Sequence, residues 1–187
     1  MELGRAASLS RYTVPFLGGT ALMGTVNSVV LFGLVLAVPS ASLAETLVCD
    51  VSRVAAVQEP LTSKLLPAVG VVLWADNEGR LDRLRARRLR YALLGGVTVG
   101  LAEAVLKNVS VLFPLAGAGP GARLATLYPV ALHAFTGGVV GLAVYSAVGR
   151  SRGSAAVRVV PAVAAAVAAH YLWNTRVAFA LAGSSPC

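Results

Sequence analysis

The sequence is poor in charge, and it has few lysines, histidines and cysteines. Only 13% of its 187 residues are charged, whereas soluble domains average about 25%. So little charge cannot cover a soluble surface, which excludes a globular cytosolic protein. The hydrophobic content of 57% also excludes a disordered chain, because disorder requires low hydrophobicity.

Several sequence motifs are absent, and each absence excludes a chemistry. The two cysteines, Cys49 and Cys187, form no CxxC pair, which excludes a cysteine-rich zinc site. A disulfide between them is allowed outside the cytoplasm, but two cysteines alone do not establish one. The sequence has no GxSxG serine elbow, no P-loop and no dinucleotide fingerprint. The net charge of +8 does not indicate nucleic-acid binding, because basic residues of apolar chains mark cytoplasmic loops.

Long apolar runs are abundant. A bilayer is spanned by about 20 apolar residues, and five runs predict helices over about 14–38, 54–75, 91–113, 124–148 and 159–180. We therefore predict an all-α fold, a polytopic membrane bundle that forms one domain over residues 1–187. The first run ends in PSASLAE and resembles a signal peptide cleaved after Ala44. It is longer than the roughly 7–15 residues of a signal core, which favours a retained helix.

The arginines predict the orientation of these spans. Eleven fall before the first span, between the second and third, and between the fourth and fifth, whereas only Arg53, Arg123 and Arg176 fall on the other side. The positive-inside rule then places the N-terminus in the cytoplasm and the C-terminus outside. The basic loop 78–91 has two interpretations. It is either a topology signal or a short amphipathic helix that lies on anionic lipid headgroups.

Six ionisable residues fall inside the predicted spans. They are Glu59, Lys64, Glu103, Lys107, His133 and His170. A charge at mid-bilayer costs roughly 2.5–3.5 kcal/mol, so such groups usually face one another and mark a functional site. With a rise of about 1.5 Å per residue, both glutamates and both histidines lie roughly 9–15 Å below the outer surface. The sequence thus predicts a pocket of two carboxylates and two imidazoles in the outer leaflet.

Two pairs of polar residues have helical spacing. Glu103 and Lys107 are four residues apart, so they share a helix face and can pair. His170 and Asn174 are also four apart, and Asn174 could orient a ligand or a water beside the histidine.

Glu59 and Lys64 are five residues apart, which turns them about 140° away from each other in an α-helix. We therefore expect Lys64 to pair with a group on another helix. Pro60 follows Glu59 directly and is expected to kink or open the helix there. The GxxxG spacings of Gly96 with Gly100 and of Gly137 with Gly141 predict close helix packing.

Two acids and two histidines in a membrane pocket suit hydrolysis. A glutamate can act as a general base toward water, and histidines can bind a metal or donate to an oxyanion. Glu59, His133 and His170 match a catalytic zinc set with one open position. The residues alone do not separate metal-activated from glutamate-activated water. They also leave open a catalytically inactive membrane scaffold and a small ion or proton carrier.

The order of these motifs resembles the PrsW family of intramembrane proteases, within the CAAX-protease-like superfamily. The resemblance lies in AAVQEPLTSKLLP, GVTVGLAEAVLKN, ALHAFTGGVVGLAVYSA and AAHYLWN, over about residues 54–176. The first motif is degenerate. Gln58 stands where the first glutamate of the family's Glu-Glu-x-x-Lys is expected, and Lys64 comes two residues later than that motif has it. In the later motif Glu103 is followed by Ala104 where the family has asparagine.

The resemblance implies a multi-pass protease of the cell membrane that cuts a membrane-anchored protein within or near the outer leaflet. Its catalytic residues would be Glu59, Glu103, His133, His170 and Asn174, with Lys64 and Lys107 in support.

The resemblance also implies a role for each of these residues. Glu59 would be the water-activating base or a metal ligand, and Glu103 would be the second acid. His133 and His170 would bind a divalent metal, with zinc as the first candidate, or stabilise the oxyanion. Asn174 would support His170. The implied partners are a membrane-protein substrate and anionic lipid headgroups.

Overall fold

The structure is a computed structural model that describes Val26, residues 41–111, residues 120–181 and Cys187. Side chains are described mainly over residues 46–98 and 130–177. Every regular element in the described residues is a helix, which confirms the predicted all-α class. The predicted first span, 14–38, lies outside the described residues except for Val26.

The helices form four long stretches in the described part of the chain. In chain order the elements are α1 (Ala41–Glu59), π1 (Pro60–Leu65), α2 (Leu66–Asn77), α3 (Leu81–Ala86), α4 (Arg88–Val111), α5 (Pro120–Ala147), α6 (Arg152–Leu172), π2 (Trp173–Val177) and α7 (Ala178–Leu181). The first stretch runs without a break from α1 to α2, and the last runs from α6 to α7. Each of the four later predicted spans falls on one of these stretches.

Two, and only two, of the described helical segments are long and apolar enough to cross a membrane. They are Val130–Ala147 within α5 and Arg152–Val177 from α6 into π2. These segments correspond to the fourth and fifth predicted spans. Their length and composition are weak evidence for membrane association.

Two turns between helices contain glycines with a left-handed backbone. Gly79 follows α2 with a φ of 63°, and Gly149 follows α5 with a φ of 72°. The backbone N–H of Arg80 reaches back to the carbonyl of Ala75 at 2.7 Å, which closes the end of α2. At the start of α6 the hydroxyl of Ser151 accepts the backbone N–H of Ser154 at 3.5 Å.

Helices α4 and α5 cross with their backbones in close contact, as the glycine spacing predicts. A Cβ built on Gly137 would lie 3.0 Å from the Cα of Gly96. A Cβ on Gly96 would collide with the carbonyl oxygen of Ala134 and lie 2.7 Å from the backbone nitrogen of Gly138. Only glycine at position 96 allows this approach of the two helices.

The apolar core is built mainly from small side chains. Alanines and valines of α2, α4, α5 and α6 pack around Tyr145. The basic loop 78–91 contains the short helix α3, whose Leu84 is completely buried in this core, whereas Leu89 is 58% exposed. The loop is therefore attached to the bundle through Leu84 and the partly buried Leu81, and Leu89 faces outward.

Candidate functional site

Pro60 changes the helix directly after Glu59. Proline has no N–H, and its ring collides with the carbonyl four residues earlier, so a regular α-helix cannot continue through it. The chain passes instead into π1, Pro60–Leu65, a wider turn that ends where the N–H of Leu66 donates to the carbonyl of Leu61. Such π-turns inside α-helices are frequent at functional sites.

Two hydroxyl groups satisfy carbonyls beside this turn. Ser63 Oγ donates to the carbonyl of Glu59 at 2.6 Å, and Thr62 Oγ1 donates to the carbonyl of Gln58 at 2.9 Å. These side chains give two carbonyls at the start of the turn a hydroxyl donor. The altered backbone is therefore hydrogen-bonded rather than frayed.

The π-turn corrects the expected relation between Glu59 and Lys64. Hydrogen bonds in a π-helix join residues five apart, so these two side chains are brought toward one face. Lys64 then contacts His133, and Glu59 lies beside His170. The expectation that they point apart was wrong, because it assumed α-helical geometry through Pro60. The expectation that Lys64 pairs with another helix is confirmed, since its Nζ lies 2.5 Å from Nδ1 of His133.

The two histidines meet inside the bundle from separate helices. His133 comes from α5 and His170 from α6, and their side chains are 1% and 0% exposed. His170 Nε2 lies 3.3 Å from His133 Nδ1, and the rings meet edge to face with centroids 4.9 Å apart. The other ring nitrogen of His170, Nδ1, lies 2.9 Å from the carbonyl oxygen of Ala166.

Glu59 completes a buried group of three potential metal ligands. Its Oε2 lies 3.7 Å from Nε2 of His170, and the residue is only 6% exposed. The ligand atoms of Glu59, His133 and His170 all lie within 4.8 Å of one another. Two ligands at tetrahedral angles around zinc are roughly 3.4 Å apart, from bond lengths of about 2.1 Å. Two of the three separations, 3.3 and 3.7 Å, are close to that value.

The hydrogen bonds determine which nitrogens offer lone pairs. A carbonyl only accepts, so His170 Nδ1 donates to Ala166, and Nε2 of the neutral ring keeps its lone pair. A Lys64 ammonium only donates, so His133 Nδ1 is its acceptor. The lone pair of His170 Nε2 thus lies beside a carboxylate and beside His133 Nδ1, whose own lone pair becomes available to a cation only when Lys64 withdraws. A ligating histidine typically holds its other N–H on a carbonyl, as His170 does.

Lys64 shares this space with the histidines. It is 2% exposed, and its Nζ also donates to Ser63 Oγ at 2.9 Å. The ammonium occupies the acceptor position of His133 that a metal ion would use. A bound cation therefore requires Nζ to withdraw from His133, and Ser63 offers it a neighbouring acceptor.

Asn174 lies on π2, away from the convergent group. Its Nδ2 donates to the carbonyl of Ser52 in α1 at 3.5 Å, so this amide connects the last helical stretch to the first. Glu103 and Lys107 lie on α4, and their side chains are outside the described residues. Of the predicted site residues, the described side chains that converge are those of Glu59, Lys64, His133 and His170.

Three buried hydroxyl residues were not predicted to belong to the site region. Ser63, Thr136 and Thr175 are each 1–2% exposed. Thr136 and Thr175 donate to carbonyls four residues earlier on their own helices, at 2.8 and 2.7 Å. The sequence did hold a signal, because Ser63 stands four residues after Glu59 and Thr136 three after His133.

A disulfide lies close to both α1 and π2. Cys49 of α1 is bonded to Cys187, with the Cα atoms 5.4 Å apart. Arg53 Nη2 donates to the carbonyl oxygen of Cys187 at 2.9 Å, and the N–H of Cys187 donates to the carbonyl of Thr175 at 3.0 Å. Cys187 is thus attached to α1 by the disulfide and by Arg53, and to π2 by the bond to Thr175.

Comparison with protein-family models, with curated proteins and with solved structures finds no match to this chain. The geometry of the site is therefore the basis for assigning a function.

Proposed function

We propose that the chain is a multi-pass intramembrane metallopeptidase of the PrsW type, which hydrolyses a peptide bond of a membrane-anchored protein. One observation carries the proposal: Glu59, His133 and His170 come from three separate helical stretches and converge in the buried interior. Burying three such groups together is costly unless they bind a cation or act on a reactant.

The surface of the bundle supports a location in the cell membrane. Large apolar side chains are exposed on the two candidate spans, including Phe135 at 67%, Val157 at 76% and Val160 at 63%. Exposed apolar surface of this extent marks contact with lipid or with other proteins. The proposed arrangement has five spans, with the N-terminus in the cytoplasm and the site toward the outer leaflet.

The donor set fits a divalent cation, and zinc is the first candidate. One carboxylate and two imidazoles are borderline ligands typical of catalytic zinc. Glu59, His133 and His170 would hold the ion. When bound, a divalent cation supplies a Lewis acid that polarises a peptide carbonyl and lowers the pKa of water.

The protein's own groups have distinct tasks in peptide hydrolysis. Glu59 serves either as a ligand of the ion or, when it is not bound to the ion, as the base that accepts a proton from an attacking water molecule. His170 is held by Ala166 in the tautomer that presents its Nε2 lone pair to the site. The Lys64 ammonium is positioned to stabilise the negative charge that develops on the carbonyl oxygen.

The test combines metal analysis with a cleavage assay. The purified chain is reconstituted in vesicles with single-span test helices that carry a Gly-Pro pair in the outer half. We expect about one zinc ion per chain and cleavage detectable by mass spectrometry, because the ligand set has one carboxylate and two imidazoles. The double variant His133→Ala/His170→Ala should lose the metal, and Glu59→Gln should lose cleavage by roughly a hundredfold or more.

Asp50→Asn is the matched control, because it makes the same carboxylate-to-amide change on the same helix at an exposed position. It should cleave like the wild type. If the wild type binds no metal and cuts none of the test helices, the proposal is overturned and an inactive scaffold becomes the better description. Ion flux that depends on Glu59 without cleavage would instead identify a carrier.

A further inference from the structure

A basic pocket lies beside the turn between α5 and α6, apart from the histidine site. Its volume is 370 Å³, and four arginines line it: Arg85, Arg88, Arg150 and Arg158. None of the described residues that line it is acidic. The four guanidinium groups come from three separate segments, namely α3, α4 and the region from the turn into α6.

Hydrogen bonds to the backbone hold three of these arginines in place. Arg85 Nη2 donates to the carbonyl of Val148 at 2.7 Å, and Arg150 Nε donates to that of Ser146 at 3.2 Å. Arg88 Nη1 donates to the carbonyl of Arg85 at 3.0 Å. A guanidinium has five N–H donors, so each of the three has further donors beyond the backbone bond described here.

Gly149 makes this arrangement possible. Its φ of 72° forms the turn, and a Cβ at this position would collide with the guanidinium of Arg85. The turn therefore needs glycine both for its backbone conformation and for the approach of Arg85. The pocket is a specific product of the fold rather than a chance accumulation of surface charge.

The pocket lies where two candidate spans end. Val130–Ala147 stops just before the turn, and Arg152–Val177 begins just after it. Exposed apolar side chains stand next to the arginines in the sequence, with Leu89 beside Arg88 and Val157 beside Arg158. Cationic groups directly beside exposed apolar groups at the end of a membrane span match a phosphate attached to acyl chains.

We propose that this pocket binds the phosphate of an anionic phospholipid headgroup on the cytoplasmic side. Arginine forks fit phosphate oxygens in a bidentate manner, and four of them offset the charge of an anionic headgroup. The adjacent apolar side chains contact the acyl chains. This site is separate from the histidine site, and it does not depend on proteolytic activity.

The experiment measures the thermal midpoint of the full chain in uncharged detergent during lipid titration. The probes are dioleoylphosphatidylglycerol, dioleoylphosphatidylcholine and soluble glycerol phosphate. The test variant is Arg88→Gln/Arg158→Gln, which leaves Arg85 and its bond to Val148 in place. The matched control is Arg87→Gln/Arg90→Gln, which removes the same charge from exposed positions of the same basic region that do not line the pocket.

We expect phosphatidylglycerol to raise the midpoint of the wild type in a saturable manner. Losing two arginines should weaken that response roughly tenfold or more, and the control pair should stay within about twofold. The single variant Arg158→Gln should be intermediate, and it serves as the test if the double variant does not fold.

Three outcomes would overturn the proposal. An equal response to phosphatidylcholine would mean that the anionic headgroup is not recognised. Equal weakening in the two double variants would mean that only net charge matters. If glycerol phosphate raised the thermal midpoint as much as phosphatidylglycerol does, the pocket would recognise a free phosphate ester.

Discussion

Different partners hold the two imidazoles of the site. His170 is held by a carbonyl of its own helix, a fixed backbone acceptor, whereas His133 is held by the ammonium of Lys64, a flexible side chain from another element. One ligand is thus preorganised, and the other is released only when Lys64 moves. In the proposed metal site, Lys64 would therefore control access of the cation.

Replacing Lys64 should separate metal binding from cleavage. Lys64→Met removes a positive charge beside the ligands while keeping an unbranched apolar side chain of similar length. Because an ammonium repels a nearby dication, we expect zinc to bind about tenfold more tightly or better. Cleavage should fall by roughly a hundredfold, because oxyanion stabilisation is lost. Zinc competition with a chelator measures the first effect, and the test-helix assay measures the second.

Arg87→Gln is the control for this charge change, because Arg87 is exposed on the basic loop. It should alter neither quantity. Weaker zinc binding in Lys64→Met would contradict the competitive role of the lysine.

At the residue scale the sequence predicted more of the site's composition than of its geometry. Glu59, His133 and His170 were predicted because ionisable groups are costly in apolar spans. Their similar depth came from counting residues along each helix. The bond of His170 to Ala166 was not predictable because it depends on the side-chain rotamer, and the bond of Asn174 to Ser52 was not predictable because it depends on how two helical stretches pack.

At the scale of elements, two features determine where the site groups lie. The π-turn Pro60–Leu65 directs Glu59 and Lys64 together, and the glycine contact between α4 and α5 fixes the approach of the helix that carries His133. The π-turn sets the direction of the Glu59 and Lys64 side chains, and the glycine contact sets the distance between α4 and α5. The positions of the later helical stretches were predictable from apolar runs, but the π-turn was not, because periodicity analysis assumes 3.6 residues per turn.

Gly96→Ala tests the glycine contact. The added methyl group collides with the backbone of α5 at Ala134 and Gly138, and neither atom can move as a side chain can. We expect a loss of roughly 1–3 kcal/mol of stability, as in other overpacked sites. Thermal unfolding in detergent measures it.

Gly70→Ala makes the identical change in helix α2, where an added Cβ meets nothing within 4 Å. It should leave stability unchanged or raise it, because alanine favours helix more than glycine does. Equal loss in both variants would show that the helix contact is not the cause.

At the scale of the whole molecule, the disulfide joins the first described helical stretch to Cys187, which lies beyond the end of the last helical stretch. Cys49 and Cys187 are 138 residues apart, and the loop between them contains every residue of the histidine site. From the sequence alone this pairing was allowed but could not be predicted. Pairing depends on the packing of α1 against α6 and π2, which brings the two ends together.

Removing the disulfide should lower the free energy of unfolding. The variant Cys49→Ser/Cys187→Ser is expected to lose about 2–4 kcal/mol, because the unfolded chain regains the freedom of a long loop. Unfolding is followed with and without a reducing agent. Reduced wild type should behave like the variant, and the variant should not respond to the reductant. A wild type that is indifferent to reduction would contradict the bond's contribution.

The order in which the site's residues are synthesised follows from its construction. Glu59 leaves the ribosome first, His133 much later, and His170 close to the last helix. A partly translated chain therefore holds a carboxylate and a lysine but no complete ligand set, and the covalent link to Cys187 forms later still. Under the proposed function, a nascent chain beside other newly inserted membrane proteins would thus be inert until the whole bundle has been assembled.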